Sequence, residues 1–283
     1  MSATPPSLFA WVGSPMGNQI AYWCPRRDSP ILHRLRGQPE HARGIIVDVG
    51  SFDGRDAVNF AGSSGLPVWT FEPTPSKHPG IRRTIDRHGL ASNVTLYPYA
   101  LSNRSGEATM EVFTALKARG RQFMQGKPGS AQDFLTMDLR PTMTKPSTAV
   151  VSVPVRRLDD LLDAAAVSTV PYMKIDAQGQ DTLVLRGAVR LLSEYRVAAF
   201  AFEFSPYLIP GRYRTALDDL TWLETLRYAC VPCQKTLRLR GPMPIAAFVD
   251  YFRNGRDTEN STDYTDIACR PPPKGAPSHT RRS

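Results

Sequence analysis

The chain has 283 residues, of which 41% are hydrophobic and 25 are prolines, and its formal net charge is +9. This length accommodates one large α/β domain with additions, and the many prolines indicate that part of the chain is loop or tail. No apolar stretch is long enough to span a membrane and no secretory signal is visible, which favours a cytoplasmic protein. An organellar transit segment stays open, because the first acidic residue is Asp28.

Two segments hold most of the positive charge. Residues 114–146 and residues 270–283 each contribute a net charge of +4. The rest of the chain is therefore close to neutral, and the composition gives little support to a basic face that binds nucleic acid.

The four cysteines are Cys24, Cys230, Cys233 and Cys269. Without a visible secretory signal, we expect buried free thiols in a reducing compartment. A structural zinc site is disfavoured because it takes four ligands, and residues 230–233 form the only CxxC pair.

The apolar patterns predict a series of alternating strands and helices. Strands are predicted at 44–49, 67–71, 94–97, 150–155, 172–175, 197–202 and 267–269, and helices at 55–63, 77–88, 158–166, 182–195 and 214–228. This order is typical of an α/β fold whose mostly parallel, doubly wound sheet carries helices on both faces.

Other segments flank or interrupt this domain, which we place at 44–269. Residues 1–43 are predicted as a lead-in with a helix near 30–36, and residues 107–113 as part of a hairpin beside the core. Residues 114–146 have the composition of a loop and are predicted as a lid over the substrate, with an RNA-contacting arm or disorder as alternatives. Residues 270–283 are predicted as a disordered tail.

The first candidate site is the turn from Asp48 to Gly54. In an open parallel sheet, ligands bind at the carboxyl ends of the strands, and this turn directly follows the first strand. It lacks the G-x-G-x-x-G spacing that suits the pyrophosphate of a dinucleotide. S-adenosylmethionine (SAM) has no phosphate, and it carries a cationic sulfonium. It therefore tolerates an acid-rich turn. An ordinary strand-to-helix turn is the alternative.

Glu72 follows the second strand, between that strand and Pro73. A carboxylate at this position can accept hydrogen bonds from both hydroxyls of a ribose. The alternative is a solvated acid at the end of a strand.

The segment from Lys174 to Asp181 is the most specific in the chain. A lysine at the end of an apolar strand requires a carboxylate partner, which Asp176 or Glu203 could supply. Asp176, Asp181 and Glu203 also provide three oxygen donors, but nothing in the sequence shows that they converge, and we predict no metal.

Four segments in this order resemble the FkbM family of methyltransferases. They are Ile46–Gly54 (IVDVGSFDG), Phe71–Pro75 (FEPTP), Tyr99–Asn103 (YALSN) and Lys174–Asp181 (KIDAQGQD), and the resemblance covers about residues 44–205. It implies a Rossmann-like class I methyltransferase that uses SAM to methylate a hydroxyl of a sugar or another small metabolite.

The resemblance also implies roles for individual residues. The residues implied to contact SAM are Asp48, Gly50, Asp53, Gly54 and Glu72, with Leu101 and Ser102 close to the adenine. On the acceptor side, Asp176 is the first candidate for the general base and Glu203 the second, with Lys174 as an ion-pair partner.

Two departures from the family pattern bear on the substrate. Gln178 stands where the family usually has an acid, and Phe52 where it usually has a small or amide residue. They leave open a non-catalytic module that only binds ligands. A second alternative, a methyltransferase directed at RNA or protein, is motivated by the basic segments 114–146 and 270–283.

Overall fold

The computed structural model describes most of the domain predicted from the sequence. The described residues are Cys24, Leu32, Leu35, Arg36 and residues 44–112, 134–136, 149–206, 213–233, 244–254 and 265–272. The predicted helix near 30–36 and the tail beyond Pro272 therefore lie largely outside the described residues.

The strands and helices alternate along the first half of the domain, as predicted. The strands are β1 (Ile46–Val49), β2 (Val68–Phe71), β3 (Val94–Tyr97), β4 (Ala100–Leu101), β5 (Gly106–Val112), β6 (Phe134–Thr136), β7 (Ala149–Arg156), β8 (Met173–Ile175), β9 (Phe200–Phe204), β10 (Ala229–Pro232) and β11 (Thr265–Arg270). The helices are α1 (Arg55–Ser64), α2 (His78–Arg87), α3 (Leu158–Ala164), α4 (Asp181–Arg186), α5 (Val189–Ser193), α6 (Tyr213–Thr225) and α7 (Ile245–Asn254), and a 3₁₀ turn covers Pro75–Lys77.

Seven strands form the central sheet in the order β10-β11-β9-β8-β1-β2-β3. All are parallel except β11, which pairs antiparallel with both β9 and β10. The strand order reverses at β1, which lies between β8 and β2. Ligands bind at such a switch point in open α/β sheets. The predicted class I methyltransferase architecture is confirmed.

Helices cover both faces of the sheet because buried residues alternate along the strands. On β1, Ile46 belongs to the cluster that includes residues of α1 and α2, whereas Val47 and Val49 belong to the larger cluster on the other face. That second cluster contains residues of α3 to α7. Cys24, Leu32 and Leu35 are buried on the α1–α2 face, so part of the lead-in packs on the sheet.

A second, smaller sheet lies beside the domain in the order β4-β7-β5-β6. The predicted hairpin is confirmed, since β5 pairs antiparallel with both β7 and β6. β6 falls inside the segment 114–146, so residues 134–136 are strand and not loop as predicted. The rest of that predicted lid lies outside the described residues.

The helix predicted over 182–195 is wrong as one element, because it divides into α4 and α5. The break occurs at Gly187 and Ala188, and Ala188 has a non-helical φ of −114°. A Cβ on Gly187 would lie 2.0 Å from the carbonyl oxygen of Ser102. The chain passes so close to Ser102 that only glycine fits, and this contact coincides with the break.

The sequence interpretation missed β10 and α7. β10 is four residues long and ends in proline, so it shows no alternation that would mark it as a strand. α7 could have been found, since Ile245, Phe248 and Val249 follow the spacing of a helix face and the last two are buried.

The prediction of free thiols is wrong, because all four cysteines form disulfides. Cys24 bonds to Cys233, and Cys230 bonds to Cys269. Cys230 and Cys269 are directly opposite each other on the antiparallel strands β10 and β11, with their Cα atoms 4.1 Å apart. The sequence could not show this pairing, because Cys230 and Cys269 are 39 positions apart along the chain.

Within the part of the chain that the structure describes, no helix has both the length and the apolar character needed to cross a membrane.

Candidate active site

Polar residues from neighbouring strands form a row at the carboxyl edge of the sheet. The strand register pairs Asp266 with Glu203. The pairs Ile175–Phe202, Val49–Ile175 and Val49–Phe71 join neighbouring strands. One residue further along, the same register places Asp176 beside Glu203, Gly50 beside Asp176, and Glu72 beside Gly50. Residues in one row of a sheet point to the same face. The row consists of Asp266, Glu203, Asp176, Gly50 and Glu72, and it lies at the switch point.

Glycine is required at two positions of the turn after β1. Gly50 has a φ of +83°, and a Cβ there would lie 2.0 Å from the carbonyl oxygen of Asp176. Gly54 has a φ of +81° at the start of α1, where a Cβ would lie 3.1 Å from Ile81 Cγ2. The glycines let the turn pass close to β8 and α2.

The side-chain hydroxyl of Ser51 is a polar group in this turn that the protein itself does not hydrogen-bond. Its backbone N–H donates to the carbonyl of Phe71, and its side chain is only 4% exposed. Its hydroxyl is buried and has no hydrogen-bond partner. A buried hydroxyl normally has a partner, so this one is available to a ligand in the turn.

The Glu72 carboxylate is held by the turn it faces. Oε2 accepts a hydrogen bond from the N–H of Phe52 (2.9 Å), and Oε1 accepts one from the N–H of Thr74 (3.0 Å). The Lys77 ammonium lies 3.8 Å from Oε1. Each carboxylate oxygen can accept more than one hydrogen bond, so Glu72 keeps capacity for a ligand.

Asp48 lies deeper than its neighbours in the sequence. Its side chain is fully buried; the Thr70 hydroxyl donates to Oδ2 (2.7 Å), and Oδ1 has no hydrogen-bond partner. Burial raises the pKa of Asp48 to about 6, with Lys174 opposing the shift. The carboxylate faces Lys174 and not the open edge, and its contact with SAM stays a prediction.

The structure does not bring the other predicted cofactor residues into the row. Asp53 forms an ion pair with Arg55 (3.1 Å) and lines a cavity of about 470 Å³ between α1 and α2. Leu101 is buried in the core, and Ser102 is buried with its N–H donating to the carbonyl of Arg156.

Lys174 lies between three carboxylates. Its Nζ is 3.1 Å from Asp56, 3.3 Å from Asp176 and 3.9 Å from Asp48. Burial alone would lower the pKa of Lys174, but these three carboxylates hold it well above its ordinary value. Lys174 is therefore a permanent cation that orients its neighbours and not a base. The predicted pair with Asp176 is present, whereas Glu203 does not pair with Lys174.

Two side chains fix the Asp176 carboxylate at the open edge. Gln178 Nε2 donates to Oδ1 (2.9 Å), and Lys174 lies 3.3 Å from Oδ2. An acid in place of Gln178 would repel Asp176, whereas the amide binds it. The side chain of Asp176 is 37% exposed, so a ligand can reach it.

Asp181 serves the turn after β8. Its carboxylate accepts hydrogen bonds from the N–H groups of Ala177 (3.2 Å) and Gly179 (3.1 Å). Burial, and then the charge of Asp176, raise the pKa of Asp181 to about 7. Among the residues described, no group of three or more His, Cys, Asp or Glu is placed to hold a metal ion.

The family can be assigned from a sequence comparison. The family model described as the methyltransferase FkbM domain matches residues 48–228, which is more than half of the chain. The chain belongs to the FkbM methyltransferase family. A search of curated proteins finds no significant match.

Solved structures with a similar fold include methyltransferases of several kinds. The FkbM methyltransferase of Methylobacillus flagellatus is 15% identical, with a TM-score of 0.46 over 90% of this chain and 51% of that one. An rRNA methylase of Streptococcus thermophilus has 11% identity and a TM-score of 0.41, over 93% of this chain and 99% of that one. An O-methyltransferase of Bacillus cereus, solved with SAH, has 13% identity and a TM-score of 0.40, over 92% and 82%. The chain spans about half the length of the Methylobacillus protein.

The methyl donor of this FkbM-family enzyme is SAM, and the turn after β1 fits it. Gly50 keeps the turn free of a side chain, Ser51 presents an unpartnered hydroxyl, and Glu72 supplies a fixed carboxylate. These groups suit the hydroxyls of a ribose and the positive charge of a sulfonium better than a phosphate.

Asp56 and Asp266 belong to the site, but the sequence interpretation missed them. Asp56 lies in the first turn of α1 and pairs with Lys174. Asp266 lies in β11, directly opposite Glu203. An acid directly before the apolar residues of a short strand could have marked Asp266, whereas nothing in the sequence distinguishes Asp56 from a solvated helix residue.

Proposed function

We propose that this enzyme transfers the methyl group of SAM to a hydroxyl of a sugar or another small metabolite. The observation that carries the proposal is the position of Asp176. Its carboxylate is exposed, oriented by Gln178 and Lys174, and lies in the same row as Gly50 and Glu72.

The cofactor residues in this proposal are those of the turn after β1. Glu72 binds the ribose hydroxyls, and Gly50 and Gly54 give the turn its close approach. Ser51 adds a hydroxyl that has no partner within the protein. Leu101 and Ser102 contribute buried surface and backbone near the adenine, as the family resemblance implies.

Asp176 serves the acceptor hydroxyl. SAM, when bound, supplies an electrophilic methyl group on sulfur. As the acceptor oxygen would form its bond to that methyl carbon, the carbon–sulfur bond would break and the neutral thioether would leave, while Asp176 would accept the hydroxyl proton. Lys174 and Gln178 hold the carboxylate in one orientation, and such alignment accounts for much of the rate in a displacement reaction.

The charge of the edge favours a small acceptor over a nucleic acid. Asp56, Asp176, Glu203 and Asp266 lie around a single described cation, Lys174. A phosphate backbone is bound by lysines and arginines and would be repelled by this set of carboxyl groups. A neutral polyhydroxylated compound meets hydrogen-bonding groups here without that repulsion.

Transfer from labelled SAM tests the proposal. The protein is incubated with methyl-labelled SAM and a cell extract that is then separated into metabolites, RNA and protein, with boiled protein as the blank. We expect the label in the metabolite fraction, as a methyl ether. Label in RNA or protein would contradict the acceptor class, and SAM binding without any transfer would favour the non-catalytic alternative.

A further inference from the structure

Glu203 lies between two other carboxyl groups. On β11, Asp266 is directly opposite Glu203 in the antiparallel register. On β8, the register that pairs Ile175 with Phe202 places Asp176 on the other side of Glu203. Like charges placed directly opposite each other destabilise a sheet, so three ionised carboxylates in a row are unfavourable.

No described cation forms an ion pair with Glu203. The cation nearest to this row, Lys174, forms its ion pairs with Asp48, Asp56 and Asp176. Asp181, the fourth carboxyl group nearby, accepts hydrogen bonds from the turn after β8. Within the described part of the chain, the Glu203 carboxyl has neither a hydrogen bond nor an ion pair, and Glu203 is half-buried.

We propose that Glu203 carries a proton in the resting enzyme and acts on the acceptor as a neutral hydrogen-bond donor, with Asp266 as the positioning residue that keeps the proton there. Asp176 is then the base, and Glu203 is not an alternative to it. The role of Glu203 toward the acceptor rests on the proposed function, whereas the location of the proton on Glu203 does not.

The electrostatics of the row agree with this assignment. Burial, followed by the charges of Asp176, Asp181 and Asp266, raises the pKa of Glu203 to about 9, and Lys174 opposes the shift. Burial and the charge of Asp176 raise the pKa of Asp266 to about 6. Near neutral pH, Glu203 is therefore protonated while Asp266 is ionised.

A protonated Glu203 selects a particular class of acceptor. Neighbouring strands lie about 4.8 Å apart, so Asp176 and Glu203 can contact one small molecule together. The reacting hydroxyl loses its proton to Asp176, while a second oxygen of the acceptor accepts a hydrogen bond from Glu203. Compounds with two adjacent oxygens, such as the neighbouring hydroxyls of a sugar, satisfy both groups.

Infrared difference spectroscopy during a pH titration tests the proton directly and needs no acceptor. We expect the wild-type protein to lose a carbonyl band of a protonated carboxylic acid as the pH passes about 9. Glu203→Gln should abolish that loss. Asp266→Asn removes a neighbouring negative charge and should move the midpoint down by on the order of one pH unit. Asp218→Asn, an exposed carboxylate on α6, is the control that should leave the midpoint in place.

The stability of Glu203→Gln gives an independent readout. The pKa of Glu203 is higher in the folded protein than its ordinary value of 4.5, so the stability associated with its proton is complete below about 4.5 and is lost as pH rises to about 9. Glutamine stays neutral throughout. The melting temperature of the variant relative to wild type should therefore rise between these two pH values.

The outcomes separate this inference from the proposed function. A wild-type protein without a titrating carboxylic acid near pH 9, or a Glu203→Gln variant that keeps it, would overturn the assignment of the proton. If the band behaves as expected but calorimetry detects no SAM binding, the proton assignment stands and the proposed function fails. With an acceptor in hand, kcat/KM of the wild type should fall as the pH passes about 9, and at lower pH in Asp266→Asn.

Discussion

The two halves of the carboxyl edge hold their carboxyl groups in different ways. In the cofactor half, formed by the turn from Gly50 to Gly54 and by Glu72, two backbone N–H groups and a lysine hold the carboxylate. In the acceptor half, formed by Asp176, Glu203 and Asp266, the carboxyl groups adjoin one another, and burial raises the pKa values of the last two. The cofactor half thus presents a fixed charge, whereas the carboxyl groups of the acceptor half differ in protonation state.

This difference matches what each half must do in the proposed reaction. A ligand bound through ribose hydroxyls needs acceptors that do not move, and backbone N–H groups provide that fixation. An acceptor hydroxyl has to give up a proton, so its half needs groups that can change protonation state. Variants in the two halves should therefore separate cofactor binding from turnover.

The largest expected effect is on turnover, in Asp176→Asn. Asparagine keeps the shape of the side chain but cannot take the hydroxyl proton, so turnover should fall by roughly 10²- to 10⁴-fold. SAM affinity should barely change, because Asp176 belongs to the acceptor half. Both quantities are measured on the same preparation, by methyl transfer and by calorimetry.

Either departure from this result is informative. Intact turnover would show that Asp176 only orients Lys174. A collapse of SAM binding would show that the end of β8 faces the cofactor, and that the division into two halves is wrong. Asp218→Asn, on the exposed side of α6, controls for the loss of one carboxylate.

The reverse pattern is expected for Glu72→Ala. Removal of a carboxylate that binds two ribose hydroxyls should weaken SAM binding by about 3 kcal/mol, or on the order of 100-fold. The variant also leaves the N–H groups of Phe52 and Thr74 without their acceptor, so its melting temperature has to be recorded. Glu72→Gln keeps one acceptor oxygen and should lose less affinity. Unchanged affinity in a folded Glu72→Ala protein would remove Glu72 from the cofactor site.

The cofactor half could be predicted from the sequence because its signals are local. β1 and β2 are apolar runs that are followed by Gly50 and Glu72, and these two strands pair with each other and are close in the chain. The ion pair of Lys174 with Asp176 was predictable for the same reason, since two residues on one strand point to the same face.

The acceptor half was only partly predictable because its contacts are not local. Glu203 meets Asp266 only because β11 inserts between β9 and β10. Asp56 reaches Lys174 from a helix more than a hundred residues earlier in the chain. The disulfides were missed because their partners come together through the same sheet order. No pattern in the sequence encodes which strands become neighbours.

A smaller effect, on stability, is expected from the disulfide between β10 and β11. The variant carrying both Cys230→Ala and Cys269→Ala should be destabilised by about 2 kcal/mol in denaturant unfolding, mainly because its unfolded chain is less restrained. SAM affinity should stay within about threefold, since β9 and β8 separate the strands of these two cysteines from β1 and β2, which carry the cofactor half. Free thiols detected by alkylation of the unreduced, unfolded wild type would contradict the bonds themselves.

The smallest effect is expected at Phe52, in the cofactor half. Phe52 has a φ of +53°, its side chain is 44% exposed, and Lys77 Nζ lies 5.1 Å from the centre of its ring. Phe52→Asn loses this cation–π contact, which contributes about 0.5–1 kcal/mol at an exposed site, but asparagine adopts a positive φ more readily. The N–H that binds Glu72 is unaffected, because it belongs to the backbone. We therefore expect unfolding free energy to change by less than about 1 kcal/mol and SAM affinity by less than about threefold. A tenfold loss of affinity without loss of stability would instead show that the ring packs on the cofactor, and that the side chain of Phe52 belongs to the site as well as its backbone.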